Sequence, residues 1–155
     1  LSIGVGMALA AKMDKRDYKT FVMMGDGEQG EGSIYEAAMA GHQYKLDNLV
    51  AIIDRNHLQI SGNTEDVMAI EDIAARWTAF GWDAKRMDGD DMEDIMKTFA
   101  AIDYTNHKPH LLISNTTKGK GVSYMENVAK WHHGMPSEEQ YRQALSEIDE
   151  RIKNL

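Results

Sequence analysis

The sequence predicts an α/β protein: an open, mostly parallel sheet with helices on both faces, giving three layers. Strand-like and helix-like segments alternate along the chain. The two clearest apolar strands also stop at polar loops that lie about one β-α-β crossover apart. Such crossovers are right-handed and place helices against both faces of one sheet. With 155 residues, the chain fits one domain with a single core.

The first half of the chain predicts two helices and two strands. Apolar residues at helical spacing predict a helix over Ser2 to Met13, which ends at a charged cluster. A strand follows from Thr20 to Met24. Ser33, with Glu36 three residues on, has the pattern of a capping box and predicts the start of the next helix. The apolar run Leu49 to Ile53 predicts the second strand.

The second half continues the alternation. Amphipathic spacing predicts helices over 71–80 and 92–102, and short apolar runs predict strands over 82–87 and 110–114. Pro136 and the acidic residues after Ser137 predict a last helix that reaches about Lys153.

The segment from Thr116 to Met135 has no clear period. It contains several glycines and the adjacent pair His132 and His133. Long irregular segments inside compact domains are often functional loops, so we expect a functional role here.

Composition narrows the possible functions. A formal net charge of −8 disfavours general binding to nucleic acid or to anionic membranes. No apolar run approaches the roughly 20 residues that span a bilayer, so a soluble protein is expected. Without cysteine there is no disulfide or thiolate chemistry, which fits a reducing cytoplasm. Met23, Met24 and Met96 lie at periodic positions typical of core residues.

Polar residues follow both early strands where those strands end. Asp26, between Gly25 and Gly27, follows the first, and Asn56 follows the second. The carboxyl ends of parallel strands meet at one crevice, so Asp26 and Asn56 are expected there together. Their oxygens, with the carbonyl of Leu58, suit Mg²⁺, while the glycines admit a diphosphate. Taken alone, Gly-Asp-Gly is more often an ordinary turn.

The spacing of these groups resembles a known family. Asn56 follows Asp26 by thirty residues (56 − 26 = 30), and the segment between Gly25 and Asn56 reads GDGEQGEGSIYEAAMAGHQYKLDNLVAIIDRN. This wording is similar to the thiamine diphosphate signature of transketolases. The segments TTKGKG (116–121) and WHHG (131–134) resemble the transketolase loop that leads to a His-Gly pair. The resemblance covers nearly the whole chain.

The resemblance implies a binding site for thiamine diphosphate and Mg²⁺. By analogy, Mg²⁺ is held by the side chains of Asp26 and Asn56 and by the carbonyl of Leu58. Gly27 donates its backbone N–H to the diphosphate. The implied cofactor-binding set is Gly25, Asp26, Gly27, Glu28, Asn56, Leu58 and His133.

Two catalytic residues are implied as well. Glu31 matches an interface glutamate that relays protons to the cofactor, although a helix-start Glu would look the same in sequence. His133, next to Gly134, matches the acid or base of the His-Gly pair, with His132 as the competing candidate. Asp54 and Arg55 are expected to form a local ion pair. Structural roles are expected for the other histidines, His42, His57, His107 and His110.

The implied function is transfer of a two-carbon ketol unit between sugar phosphates, as in the pentose phosphate pathway. The family's pyrimidine-binding domain is absent from the chain, and an upstream part is expected to be missing before Leu1. We therefore expect a cytoplasmic N-terminal subunit or fragment that is inactive alone. It would need a pyrimidine-domain partner, the transketolase C-terminal subunit, in a homodimer or heterotetramer.

Two alternatives stay open. One is another thiamine-dependent component, of the deoxyxylulose-phosphate synthase or 2-oxo acid dehydrogenase type. The other is a non-catalytic assembly module of the same fold. The identity of the sugar substrates cannot be read from the sequence.

Overall fold

A computed structural model describes residues 1–154. The strands are β1 (Thr20–Gly25), β2 (Leu49–Arg55), β3 (Leu58–Gln59), β4 (Gly62–Asn63), β5 (Asp83–Asp88) and β6 (His110–Asn115). The helices are α1 (Ser2–Met13), α2 (Gly32–Gln43), α3 (Thr64–Val67), α4 (Ile73–Ala79), α5 (Met92–Ala100) and α6 (Glu138–Lys153). Single 3₁₀ turns cover Gly27–Gly30 and Ala129–His132.

Four strands form the main sheet, in the order β1-β2-β6-β5, and every neighbouring pair is parallel. The short strands β3 and β4 form a separate antiparallel hairpin. The α/β fold predicted from the sequence is therefore confirmed. The register pairs Gly25 with Asp54 and Arg55 with Asn115, so β1, β2 and β6 end level with one another. This level edge places the loops after the three strands around one crevice.

Side-chain alternation along β2 separates two apolar clusters. Leu49, Ala51 and Ile53 face the larger core, which α1, α2 and α4 help to fill. Trp77 of α4 packs edge to face against Trp82, with ring centroids 4.7 Å apart. Burying each large apolar side chain contributes about 1.5–3 kcal/mol. This face therefore supplies most of the packing energy.

The opposite face of the sheet is covered less completely. Helix α5 packs there, and its Phe99 contacts Phe21 of β1 with ring centroids 6.2 Å apart. Met23 and Met96 are 68% and 67% exposed, so the expectation that they belong to the core was wrong, whereas Met24 is buried. β1 lies at the edge of the sheet, and the nine residues of α5 are too few to cover both ends of this face.

Several predicted boundaries shift. The predicted Ser33 cap was wrong, because α2 begins at Gly32 with Glu31 as its N-cap, and no side chain caps it. α4 begins at Ile73, since the Asp72 side chain accepts hydrogen bonds from the amides of Ala74 and Ala75. The predicted start of the last helix is confirmed by a capping box between Ser137 and Gln140.

The long segment without a period contains, between β6 and α6, turns and one short 3₁₀ helix. Between residues 1 and 154, no helix is both long and apolar enough to cross a membrane.

Candidate functional site

A cavity of about 450 Å³ opens at the carboxyl ends of β1 and β2. Seven of the eight predicted site residues line it: Gly25, Asp26, Gly27, Glu28, Glu31, Asn56 and Leu58. The eighth, His133, is exposed and is not among the lining residues, whereas its neighbour His132 is. The hairpin residues Gln59, Ile60 and Ser61 form the remaining wall with Asp54 and Lys118. The structure therefore gathers the residues that follow the first two strands into one pocket.

Asp26 is almost completely buried at the floor of the cavity. Its Oδ2 accepts hydrogen bonds from Nη1 of Arg55 at 2.9 Å and from the backbone N–H of His57 at 2.8 Å. Its Oδ1 accepts none from residues 1–154. One carboxylate oxygen is thus held by the protein, and the other is left for a cation.

The carboxamide of Asn56 is fixed at both ends. Its Oδ1 accepts from the Leu58 amide at 3.0 Å, and its Nδ2 donates to Oδ2 of Asp54 at 2.8 Å. The other oxygen of Asp54 accepts the hydroxyl of Thr116 from the end of β6. Asp54 therefore orients the predicted metal ligand.

The expected ion pair between Asp54 and Arg55 was wrong. Successive residues of a strand point to opposite faces of the sheet, so these two side chains point apart. Arg55 continues the inward row of Ala51 and Ile53 and is completely buried.

Arg55 instead lies at the centre of a group of acids. Its Nε donates to Glu71 at 3.1 Å and its Nη2 to Glu65 at 2.9 Å. Burial alone would raise the pKa of Glu71. Hydrogen bonds from Arg86, from the Ile73 amide and from Arg55 outweigh burial and lower that pKa.

Glycine is needed where the backbone meets the wall. A Cβ at Gly27 would lie 3.2 Å from Cβ of Gln59 on the hairpin. A side chain there would push into the cavity wall. The Gly25 N–H already donates to the Glu28 carboxylate at 2.7 Å. The space beside this loop can therefore admit a ligand only because residue 27 has no side chain.

The charges of the cavity favour a cation. Four carboxylates line it, from Asp26, Glu28, Glu31 and Asp54, against the single ammonium of Lys118. An unaccompanied diphosphate would be repelled, so a phosphorylated ligand fits here together with a divalent cation.

Lys118 was missed by the sequence reasoning. It lines both this cavity and an adjoining one of about 410 Å³, which also contacts Asp54 and Asn56. Its place in the loop directly after a buried central strand was the available signal.

Within residues 1–154, no three His, Cys, Asp or Glu side chains are grouped closely enough to hold a metal by themselves. The oxygens of Asp26, Asn56 and Leu58 nevertheless fit a Mg²⁺ site that phosphate and water complete. Mg²⁺ usually keeps several waters and takes one or two protein ligands beside phosphate oxygens.

A parallel sheet with an acidic, glycine-lined cavity at its carboxyl ends defines a domain of the metal- and phosphate-binding α/β class. The family model described as "Transketolase, thiamine diphosphate binding domain" matches residues 5–148. The chain therefore belongs to the transketolase family, in its thiamine diphosphate-binding domain.

Among curated relatives, an apulose-4-phosphate transketolase subunit of Phocaeicola vulgatus is 75% identical over 155 residues, which are 100% of this chain and 55% of the relative. The subunit of the same name from Actinobacillus succinogenes is 43% identical over 96% of this chain and 53% of the relative. The chain thus spans about half the length of these relatives.

Among solved structures, transketolase from Campylobacter jejuni superimposes with a TM-score of 0.86 at 32% identity. The match covers 94% of this chain and 24% of that one.

Proposed function

We propose that the chain is the diphosphate-binding part of a transketolase subunit, in an enzyme that transfers a two-carbon ketol unit between sugar phosphates. The observation that carries this proposal is the convergence of Asp26, Asn56 and Leu58 on one acidic cavity. The relative named for apulose 4-phosphate, at 75% identity, supports that sugar phosphate as a substrate. Thiamine diphosphate supplies the electron sink for carbon–carbon bond cleavage and formation.

The residues of this chain bind and orient the cofactor. Asp26, Asn56 and the Leu58 carbonyl hold Mg²⁺, which neutralises the diphosphate in an otherwise acidic pocket. Gly27 donates its N–H to a phosphate oxygen, and the positive amino end of α2 lies beside it. Gly25 and Glu28 complete the loop.

Two residues would move protons. Glu31 is exposed at the cavity, caps no amide with its side chain, and is therefore free to relay a proton at the boundary with a partner subunit. His133 acts as acid or base toward the substrate. His132, which lines the cavity, is the alternative for this role.

The proposed partner carries the pyrimidine-binding domain. Two relatives are named as subunits of their transketolases, which supports a heterotetramer or a related dimer built with a second, different chain. The chain would be inactive alone, and we place the enzyme in the cytoplasm.

Calorimetric titration tests the proposal. The full-length subunit with its partner is titrated with thiamine diphosphate and Mg²⁺. Asp26→Ala is expected to abolish binding, because it removes the charged metal ligand. Asp47→Asn is the matched control. Asp47 is also buried and is paired with Lys12 at 2.6 Å, but it lies at the opposite end of the sheet.

The outcomes separate the alternatives. Binding lost in the Asp26 variant and kept in the Asp47 variant supports the enzyme subunit. No binding by the native complex would favour an assembly module. Binding without ketol transfer from apulose 4-phosphate or other sugar phosphates would indicate a different thiamine-dependent enzyme.

A further inference from the structure

Arg55 is the most completely buried charged residue at the site, with an exposed fraction of 0%. Its guanidinium bonds to three separate segments: the loop after β1, the start of α3 and the residues before α4. From the sequence pattern, only a local ion pair was expected of it.

The first segment carries the proposed metal ligand. Nη1 of Arg55 holds Oδ2 of Asp26 at 2.9 Å, and the His57 amide holds the same oxygen at 2.8 Å. Two donors on one oxygen fix the rotation of the carboxylate, because they determine its plane. Oδ1 is then the oxygen available to the cavity.

The second segment closes the hairpin wall. Nη1 of Arg55 also donates to the Thr64 hydroxyl at 2.6 Å, and Nη2 donates to Glu65 at 2.9 Å. The Thr64 amide bonds in turn to the His57 carbonyl at 3.0 Å. The cavity wall over residues 56–63 therefore leaves Arg55 and returns to it.

The third segment supplies surplus negative charge. Glu71 bonds to Arg55 and also to Arg86, at 2.9 Å from Nη2 of Arg86. Around Arg55, the carboxylates of Asp26, Glu65 and Glu71 outnumber its single positive charge. This surplus suits a site that receives a divalent cation.

Arginine is required by the geometry. Its planar fork reaches acceptors in several directions, whereas lysine is a compact point charge. A buried ion cluster could also serve stability alone, since losing one member of a buried pair typically costs about 3–5 kcal/mol. A purely stabilising role and a positioning role differ in their effect on the affinity of the site for a metal.

We propose that Arg55 is a positioning residue for the metal. It holds Asp26 with one oxygen turned to the cavity and anchors the hairpin that carries the Leu58 carbonyl. This inference rests on the proposed function, because it assumes Mg²⁺ and thiamine diphosphate as ligands.

The test compares variants that separate charge balance from positioning. Glu65→Gln with Glu71→Gln keeps the contact between Arg55 and Asp26 and serves as the control. Adding Arg55→Met to this pair removes the guanidinium without leaving Glu65 and Glu71 as unpaired charges. Arg55→Lys keeps the charge but loses the fork.

Each variant of the full-length subunit, with its partner, is titrated with Mg²⁺ at constant thiamine diphosphate. Mn²⁺ titration followed by electron paramagnetic resonance gives a second readout that does not depend on activity. Thermal unfolding without ligands reports the fold. We expect the triple variant to match the melting temperature of the control within a few degrees, while its half-saturating Mg²⁺ concentration rises at least tenfold. We expect Arg55→Lys to raise that concentration at least fivefold.

A triple variant whose Mg²⁺ affinity stays within twofold of the control would overturn the proposal and leave Arg55 a structural residue. If the triple variant does not fold, native-like Mg²⁺ affinity in Arg55→Lys would overturn it equally. A native complex that binds no thiamine diphosphate with Mg²⁺ would refute the proposed function instead, so the two failures are distinguishable.

Discussion

Replacing Trp77 with phenylalanine tests how the core supports the acidic loop. Nε1 of Trp77 donates to Oε1 of Gln29 at 3.1 Å, inside the turn between Asp26 and Glu31. Gln29 is 2% exposed, and its Nε2 has no partner within residues 1–154. The hydrogen bond from Trp77 is therefore the contact that satisfies this buried amide.

The cost follows from two contributions. The smaller ring leaves a volume of roughly 40 Å³, which at about 24 cal/mol per Å³ costs about 1 kcal/mol. Leaving Oε1 of Gln29 buried without a donor adds about 1–3 kcal/mol. The expected loss of unfolding free energy is thus about 2–4 kcal/mol. At roughly 2–4 °C per kcal/mol, the melting temperature should fall by roughly 5–15 °C.

A double-mutant cycle with Gln29→Met isolates the hydrogen bond. Urea unfolding of the full-length subunit gives the free energy for each single variant and for the pair. Since the double variant leaves neither polar group buried alone, we expect a coupling energy of at least about 1 kcal/mol. Additive effects, with coupling below about 0.5 kcal/mol, would show that the bond does not support the loop.

Further predictions concern the histidines. Burial lowers the pKa of His110, and Lys85 adds to this effect against the opposing charge of Asp83. The folded protein then binds this proton less readily than the unfolded chain. Stability is therefore full above about pH 6.5 and falls as the pH drops toward the folded-state pKa. Urea unfolding across this range should show the slope in the native protein and lose it in His110→Asn; an unchanged slope would contradict the assignment. In the reconstituted complex, His133→Ala should lower ketol transfer while Mg²⁺ binding persists, and a loss confined to His132→Ala would move the acid or base role to His132.

Much of the fold follows from local pattern. The apolar run that starts at Leu49 and the strand after Pro109 could be recognised because buried parallel strands are continuously apolar. Helix starts were harder to predict. Ser33 satisfied a capping pattern, yet the chain enters α2 directly from the 3₁₀ turn before it. Met23 and Met96 have apolar side chains, but their burial depends on which face of the sheet is covered.

The site could be predicted in part for the same reason. Asp26 and Asn56 follow strands whose parallel ends must meet, so their shared cavity follows from connectivity. Lys118 and His132 come from a loop without periodicity, and its path over the sheet depends on tertiary packing.

By itself, the sequence determined the order of strands and helices, the loops at their ends and the resemblance to the transketolase family, because these depend on neighbouring residues and on fixed periods of 2.0 and 3.6. Tertiary structure decided the contacts of Arg55. Its partners Asp26, Glu65 and Glu71 lie 29, 10 and 16 residues away. A charge in a strand can be satisfied by any acid that the fold brings near, and only the packed sheet with its hairpin selects which one.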